Sequence, residues 1–204
     1  MATYRPHDRF FQKAREKGLP SRAAFKIEEL LDRYRLARPG ECVLDLGCAP
    51  GGWLAILSRA VGSRGRVVGV DLVAVRASFP NVRTITGDIC DPAVKVSMAE
   101  ELGGRAGLLT SDLAPRLSGI ADRDQARMDE LLQMTLEVAP SVLRPGAAMI
   151  AKIFMNANFE PLVARFRKKF VRVDIARTKA SRPGSSELYL IAREFNDGIE
   201  TADR

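Results

Sequence analysis

A lysine inside an apolar run is the residue of this sequence best suited to acid–base chemistry. Lys152 interrupts the run 147–154, which has no other polar member. Because a buried ammonium is costly, this lysine must reach a partner, reach solvent or lose its proton. One interpretation is a lysine that extends into solvent at the end of a strand. The other is a lysine that acts as a base.

Two acidic residues could share that site. Asp112 ends the apolar run 107–112, so it would point from the same sheet edge as Lys152, although an acid there could equally cap a loop. Glu187 opens the last apolar run, and on its own an exposed strand residue is the simpler interpretation. The only histidine is His7, so histidine-based catalysis and histidine-ligated metal sites have little support, and we expect no metal.

A glycine-rich turn is the second candidate site. Residues 45–53 (DLGCAPGGW) join the apolar run 42–44 to a predicted helix. A strand, a glycine-rich turn and a helix N-terminus form a ligand site at the carboxyl edge of an α/β sheet. Three glycines let the backbone turn sharply and let a ligand approach closely: Gly47, Gly51 and Gly52.

The spacing of these glycines separates two cofactors. A dinucleotide site requires G-x-G-x-x-G, whereas this loop has G-x-x-x-G-G preceded by Asp45. S-adenosylmethionine has no phosphate but carries a cationic amino group and a sulfonium, which an acidic loop suits. Asp71 ends the next strand, where it could accept hydrogen bonds from two ribose hydroxyls. Asp88 follows the third strand and could meet the adenine amino group or be a turn aspartate. The loop predicts a methyl-donor site.

Composition indicates a globular protein with a polyanionic partner. The chain has 204 residues, 46% hydrophobic and 28% charged, which suits a single domain over 1–204. Its net charge of +7 is uneven, since residues 1–40 hold ten Lys or Arg against five Asp or Glu, and residues 165–193 hold nine against two. Such basic segments suggest a nucleic acid, although charge runs are usually solvated faces.

The compartment can also be predicted from the sequence. No signal peptide is recognisable, and no apolar stretch approaches the roughly 20 residues that span a bilayer. Three cysteines without metal-ligand spacing are typical of reduced thiols. We therefore expect a cytoplasmic protein without a membrane partner.

Alternating strand and helix patterns predict an α/β fold with a mostly parallel sheet and helices on both faces. The loop 177–184 is too short for a crossover helix, so the last two strands should form an antiparallel hairpin. Residues 195–204 are predicted to be a flexible tail. Strands are predicted near 42–46, 66–71, 82–86, 107–112, 147–154, 171–176 and 187–192, and helices near 52–61, 92–102, 122–143 and 158–169.

The first forty residues are predicted to be a basic helical arm that could contact a nucleic acid. A first helix is expected over 7–17, and Ser21 is a plausible N-cap for a second helix over 22–35. Phe25 lies off the apolar stripe of that second helix. Packing against the preceding helix is favoured for it over stacking on a base.

Taken together, these residues resemble the FtsJ (RrmJ/RlmE) family of S-adenosylmethionine-dependent RNA ribose 2′-O-methyltransferases. The likeness runs from about Asp8 to Ala192, and it implies a Rossmann-like methyltransferase fold. It also implies a Lys-Asp-Lys-Glu tetrad with Lys152 as proton acceptor. The likeness rests on the segments 18–26, 45–53, 111–115 and 181–187 together with Lys152, and the tetrad falls on Lys26, Asp112, Lys152 and Glu187.

The predicted methyl-donor contacts combine the loop and the acids at the strand ends. They are Asp45, Gly47, Gly51, Gly52, Trp53, Asp71, Asp88, Ile89 and Asp112, of which Gly51, Trp53, Asp71, Asp88 and Asp112 follow from the resemblance.

The resemblance further implies the substrate, a uridine of large-subunit ribosomal RNA within the ribosomal particle. Transfer RNA is the main alternative within the family, and we expect a monomer with no DNA partner. A neutral amine at Lys152 could take the 2′-hydroxyl proton. Lys26 would favour that neutral form, whereas Asp112 and Glu187 would favour the charged form.

Three rival functions are weaker. An NAD-binding oxidoreductase lacks its G-x-G-x-x-G motif. A non-catalytic RNA-binding protein with a methyltransferase fold would have no need for the complete tetrad. An amino-group methyltransferase that uses residues 112–115 would have no evident need for a buried lysine base.

Overall fold

The computed structural model describes residues 9–115, 118–155, 158–182 and 184–196, and the predicted alternation of strands and helices is confirmed in it. Strand β5 begins four residues earlier than predicted and β7 ends three residues later. The strands are β1 Cys42–Leu46, β2 Arg66–Asp71, β3 Val82–Thr86, β4 Ala106–Ser111, β5 Leu143–Phe154, β6 Phe170–Ala176 and β7 Glu187–Phe195. The helices are α1 Arg9–Glu16, α2 Ala24–Tyr34, α3 Gly52–Val61, α4 Pro92–Leu102, α5 Ala121–Val142 and α6 Phe159–Arg167.

The seven strands form one sheet in the order β3-β2-β1-β4-β5-β7-β6. Strands β1 to β5 pair in parallel, and β7 is antiparallel to both β5 and β6, which confirms the predicted C-terminal hairpin. The strand order reverses between β1 and β4. In open α/β sheets, ligands bind at the carboxyl ends of the strands beside such a reversal.

Apolar residues alternate along the strands and build a core on each face of the sheet. In β1, Leu44 and Leu46 pack with residues of α4, α5 and α6, whereas Val43 packs with α2 and α3 on the opposite face. This period of two is the normal consequence of the strand pleat. Of the helices that the structure describes, none is long and apolar enough to cross a membrane.

The predicted N-cap at Ser21 is wrong. Helix α2 begins at Ala24, and its N-cap residue Ala23 makes no side-chain capping bond. Residues 21–24 form a turn in which the carbonyl of Ser21 accepts from the Ala24 amide, so the serine uses its main chain rather than its hydroxyl. The hydroxyl faces Gly52, where an added Cβ would collide with it.

Phe25 packs against α1, as predicted. Its ring centroid lies 5.7 Å from that of Phe10, and Lys13 and Lys17 lie over the same ring. The side chain is buried in the second apolar core, on the face that holds α2 and α3.

The predicted tail at 195–204 is wrong at its start. Phe195 belongs to β7, is 2% exposed and places its ring 5.1 Å from that of Phe170. The amide of Asn196 donates to the carbonyl of Lys169 at 2.8 Å. The apolar alternation of β7 therefore continues past the predicted end. The rest of the tail, residues 197–204, lies outside the described residues, as do residues 1–8 with His7.

Candidate active site

Lys152 and Asp112 form a buried pair at the carboxyl edge of the sheet. The Nζ atom of Lys152 donates to the carbonyl oxygen of Asp112 at 2.7 Å and lies 3.0 Å from its carboxylate oxygen Oδ1. The lysine side chain is only 8% exposed. It therefore satisfies its charge through a partner and does not extend into solvent.

Lys26 and Glu187 form a second pair beside the first. The Nζ atom of Lys26 lies 2.7 Å and 2.8 Å from the two carboxylate oxygens of Glu187. Burial would raise the pKa of Glu187, but the charge and hydrogen bond of Lys26, together with the hydrogen bond of Ser181 and the charge of Lys152, outweigh it and hold that pKa below its usual value. The simple interpretation of Glu187 as an exposed strand residue is therefore wrong, because its side chain is 13% exposed.

Tyr189 links the two pairs and was missed in the sequence. Its hydroxyl lies 3.3 Å from Glu187 Oε1 and 3.5 Å from Asp112 Oδ1. Burial, together with these carboxylates, raises the pKa of Tyr189, so the hydroxyl keeps its proton and can donate to either. Strand alternation carries the signal, since residues 187 and 189 must share a face of β7.

The loop after β6 supports Glu187 and joins the two basic segments. The hydroxyl of Ser181 donates to Glu187 Oε1 at 3.0 Å. Arg22 donates to the carbonyl of Ala180, and the amide of Lys179 donates to Glu29 at 2.8 Å. Residues of the two basic segments, 1–40 and 165–193, therefore meet beside the Lys26–Glu187 pair.

The glycine-rich loop is held by Asp71. The two carboxylate oxygens of Asp71 accept from the amides of Ala49 and Val73, each at 2.9 Å. Gly51 has a φ of 104° and caps the start of α3, a conformation that a side chain would strain. Gly47 has a φ of 76°, and an added Cβ would lie 3.0 Å from the amide nitrogen of Leu113.

Asp45 lies buried beneath this loop. One carboxyl oxygen accepts from the Thr110 hydroxyl at 2.7 Å, and the other is buried without a partner among the described residues. Burial, opposed by this hydrogen bond and assisted by the charges of Asp112 and Asp71, raises the pKa of Asp45 to about 8. Three carboxyl groups thus converge on one edge of the sheet.

A cleft of about 150 Å³ opens next to these acids, and its size and lining suit part of a nucleoside. Three of the residues predicted to contact the donor line it, Asp71, Asp88 and Ile89, and their contact with the donor stays a prediction. The Asp88 carboxylate also accepts from the amide of Cys90 at 2.9 Å, so the turn interpretation holds for this aspartate as well. The remaining lining residues are Val70, Leu72, Gly87, Cys90, Leu113, Leu131 and Met134.

The other six predicted donor residues do not line this cleft, and two of them contact the segment before α2. The Trp53 side chain is buried, and its indole nitrogen donates to the carbonyl of Ala23 at 3.0 Å, so it supports the start of α2. Gly52 packs against Ser21. Neither lines the cleft, and a role for them in donor binding stays a prediction.

The residues present fit a cationic nucleoside such as S-adenosylmethionine. The unpartnered carboxyl oxygen of Asp45 and the neighbouring charge of Asp71 favour a cation. The apolar wall of the cleft suits an adenine. Across the described ranges, no group of three His, Cys, Asp or Glu side chains is arranged to hold a metal ion.

The sequence is similar to those of known methyltransferases. The sequence model of a family described as FtsJ-like methyltransferase matches residues 19–195. A protein of Myxococcus xanthus named ribosomal RNA large subunit methyltransferase E is 43% identical over 189 residues, covering 92% of this chain and 89% of the relative. A protein of the same name from Methanoculleus marisnigri is 42% identical over 196 residues, covering 96% and 95%.

Solved structures share the fold. A Plasmodium falciparum protein described as a ribosomal RNA methyltransferase superimposes with a TM-score of 0.76 at 24% identity, covering 86% of this chain and 98% of that one. Fibrillarin of Aeropyrum pernix, solved with natively bound S-adenosyl-L-methionine, superimposes with a TM-score of 0.57 at 19% identity, covering 83% and 73%.

Proposed function

Because the chain belongs to the FtsJ-like methyltransferase family, we propose that it methylates a ribose 2′-hydroxyl of RNA, with S-adenosyl-L-methionine as methyl donor. The proposed target is a uridine of large-subunit ribosomal RNA in the ribosomal particle. The observation that carries the proposal is the Lys152–Asp112 pair next to the donor cleft. Leu113, which follows Asp112 directly, lines that cleft.

The geometry of Lys152 suits a proton acceptor. Lys152 is paired as a cation with Asp112, so it can act as a proton acceptor only after it has released one proton. The resulting neutral amine has two N–H groups and one lone pair, and Asp112 offers two acceptors, its carbonyl at 2.7 Å and its carboxylate at 3.0 Å. With both N–H groups donated, the lone pair points away from Asp112. An incoming hydroxyl there would give its proton to Lys152, while Asp112 fixes the direction of the amine.

The donor would be held by the acids of the neighbouring strands. Asp71 would accept from ribose hydroxyls, Asp88 would face the adenine, and the negative field around Asp45 would favour the amino group and the sulfonium. When bound, S-adenosylmethionine supplies an electrophilic methyl group. The remaining catalytic task of the protein is to orient the acceptor hydroxyl and remove its proton, and orientation alone can supply several kcal/mol of the barrier.

The basic surface supports an RNA substrate. Lys13, Arg15 and Lys17 of the arm are exposed, and the bonds from Arg22 to Ala180 and from Lys179 to Glu29 tie the arm to the second basic stretch. This surface adjoins the Lys26–Glu187 pair. Basic side chains contact phosphates, which orient an RNA without reading its sequence.

The relatives named ribosomal RNA large subunit methyltransferase E favour ribosomal RNA over transfer RNA as the substrate. Contacts to phosphates leave selection of the nucleotide to RNA shape. A large folded RNA that presents an accessible ribose meets that requirement. We therefore place the reaction on an assembled or assembling large subunit.

A methylation assay tests the proposal. Large ribosomal subunits, protein-free ribosomal RNA, transfer RNA and a short unstructured RNA are incubated with labelled donor at several salt concentrations. Mass analysis of the nucleosides then distinguishes ribose from base methylation. We expect a 2′-O-methyluridine, fastest on large subunits, and binding that weakens steeply with salt. Faster reaction on transfer RNA, equal rates on the short RNA, or a methylated base would each contradict the proposal.

A further inference from the structure

A second cavity, of about 420 Å³, lies further along the same sheet edge. The donor cleft is built on the ends of β2 and β3, whereas this cavity is built on the ends of β4, β5 and β7. Helix α5 forms a wall of both, through Leu131 in the cleft and Met128 in the cavity. The cavity is lined by Ala114, Pro115, Asp124, Gln125, Met128, Phe154, Met155 and Ser186.

The cavity adjoins the catalytic groups because the same strands supply both. Ala114 lies two residues after Asp112, and Phe154 lies two residues after Lys152. Ser186 directly precedes Glu187, and its carbonyl accepts from the amide of Met155 at 3.2 Å, which fixes the rim between β5 and β7. Three lining residues of the cavity are thus one or two chain positions away from paired residues of the site. A group held in this cavity therefore lies next to the place where Lys152 would meet a hydroxyl.

The lining is that of a base-binding pocket. Its walls are mostly apolar, with the ring of Phe154 and the thioethers of Met128 and Met155, and Met155 is 58% exposed at the rim. Ligand pockets of about 300–1,000 Å³ typically combine such walls with a few polar groups. Unpaired bases stack on aromatic and other flat side chains.

Two polar side chains of the pocket differ in whether they can still form a hydrogen bond with a ligand. Both carboxylate oxygens of Asp124 accept from Ser118 and Gly119, so this aspartate holds the loop before α5. Gln125 donates its amide N–H to Asp129 at 2.7 Å, which fixes the amide and leaves its carbonyl oxygen to accept from a ligand. Its amide oxygen can therefore take an N–H of a base.

We propose that this cavity receives the base of the target nucleotide, turned out of its stack, an inference that rests on the proposed function. Because Lys152 is only 8% exposed, its amine lies in a recess that a ribose must enter to bring its 2′-hydroxyl close. A nucleotide that leaves the stack can do so, and its base then needs a pocket next to the lysine. The cavity is that pocket.

Filling the cavity tests the inference. Ala114 is exposed on a loop, and in Ala114→Trp the indole would occupy the space of the base. We expect kcat/KM for RNA to fall about 5- to 150-fold, the range for loss of one base-stacking contact. The affinity for S-adenosylmethionine, measured by calorimetry, should stay within about twofold of wild type, since Ala114 does not line the donor cleft. Unchanged kcat/KM, or an equal loss of donor affinity, would overturn the inference.

A matched control carries the same bulk elsewhere. Val96 is 57% exposed on α4, outside both basic segments and outside the residues that line the cavity and the donor cleft, so Val96→Trp should leave kcat/KM unchanged. A second variant, Met155→Ala, removes an exposed wall of the pocket without adding volume. It should lower kcat/KM for RNA in the same direction even if Ala114→Trp does not fold. A kcat/KM for RNA that Met155→Ala leaves unchanged would overturn the inference.

An acceptor without its base gives the most direct readout. Once the wild-type product has identified the target, an RNA with an abasic ribose at that position is assayed. Wild type should lose about as much kcat/KM on this RNA as Ala114→Trp loses on normal RNA, and the variant should lose no more on the abasic RNA. Equal wild-type rates on both RNAs would overturn the pocket alone. Wild type that methylates no RNA ribose would overturn the proposed function as well.

Discussion

The candidate active site divides into a proposed donor half around Asp45 and Asp71 and a proposed acceptor half around the Lys152–Asp112 and Lys26–Glu187 pairs. The two halves hold their carboxylates in different ways. In the donor half, Asp71 is held by two main-chain amides, and Asp45 has one hydroxyl partner and one unpartnered oxygen. In the acceptor half, Asp112 is paired with Lys152 and Glu187 with Lys26. The donor half is therefore net acidic, whereas the acceptor half balances each negative charge with a positive one.

This difference indicates what each half requires of its ligand. Among the described residues that line the cleft none is cationic, and such an acidic cleft favours a ligand that brings its own positive charge. A balanced acceptor half needs no charge from RNA and can bind a neutral hydroxyl. Removal of one member of a buried pair leaves the other charge unpaired, which is usually costly. We therefore expect larger effects on catalysis from the acceptor half and on donor affinity from the donor half.

The largest effect should follow from Lys152→Ala. Loss of a general base typically lowers the rate by about 10²–10⁴-fold, and loss of positioning adds to this. Donor affinity should remain close to that of wild type, because Lys152 does not line the donor cleft. Single-turnover methylation and calorimetry measure the two quantities. Activity within threefold of wild type would remove Lys152 from the catalytic role.

Lys152→Arg separates charge from proton acceptance. An arginine can keep the ion pair with Asp112, but a guanidinium does not give up its proton in proteins. If Lys152 acts as a base, the arginine variant should be nearly as inactive as the alanine variant. Substantial activity in the arginine variant would show that only the positive charge matters.

Asp71→Ala should have the next largest effect, on the donor half. Loss of charge-assisted hydrogen bonds to the ribose should weaken donor binding by roughly 1–3 kcal/mol. The substitution also frees the amides of Ala49 and Val73, so thermal unfolding without donor serves as a check on the loop. Asp32→Ala, on the exposed face of α2, is the matched control. Unchanged donor affinity in a folded Asp71→Ala protein would move the ribose contact elsewhere.

The same contrast explains what the sequence could predict. The donor half is local, because a strand, a glycine-rich turn and a helix follow one another within residues 42–61. Spacing alone therefore indicated the loop and the acid at the end of β2. The bounds of β1, β2, β3, α3 and α4 were likewise correct, since apolar runs and glycines delimit them.

The acceptor half is assembled from four distant segments, and local patterns contain no information about pairing. Which lysine meets which acid was open in the sequence, and the structure pairs Lys26 with Glu187 across 161 positions. Tyr189 was missed because a tyrosine in an apolar strand is usually core. The Ser21 cap was wrong because the hydroxyl packs against α3, a contact no local rule could reveal.

A smaller effect is expected from Tyr189→Phe. Its hydroxyl contacts to Glu187 and Asp112 are long, at 3.3 Å and 3.5 Å, so each contributes little. Loss of one ordinary hydrogen bond, about 0.5–1.5 kcal/mol, corresponds to about 2- to 12-fold in kcat. Donor affinity should not change, which is the measurement that assigns Tyr189 to the acceptor half. A loss of donor affinity in place of kcat would contradict this assignment.

The last effect concerns Asp45 and appears in the pH dependence of stability, not in catalysis. Its pKa of about 8 in the folded protein is above the ordinary 3.8, so the folded state retains a proton that the unfolded state loses. The contribution of the neutral carboxyl is therefore complete below pH 3.8 and is lost as the pH rises towards about 8. Asp45→Asn keeps an oxygen for the Thr110 hydroxyl but cannot ionise. The Tm of the variant relative to wild type should rise by several degrees between about pH 5 and pH 8.

Because a cation favours the ionised carboxylate, donor affinity should increase over the same interval in wild type and stay flat in the variant. Parallel Tm curves for the two proteins would show that Asp45 is ionised in the folded state, and its carboxylate would then add to the negative charge of the donor half.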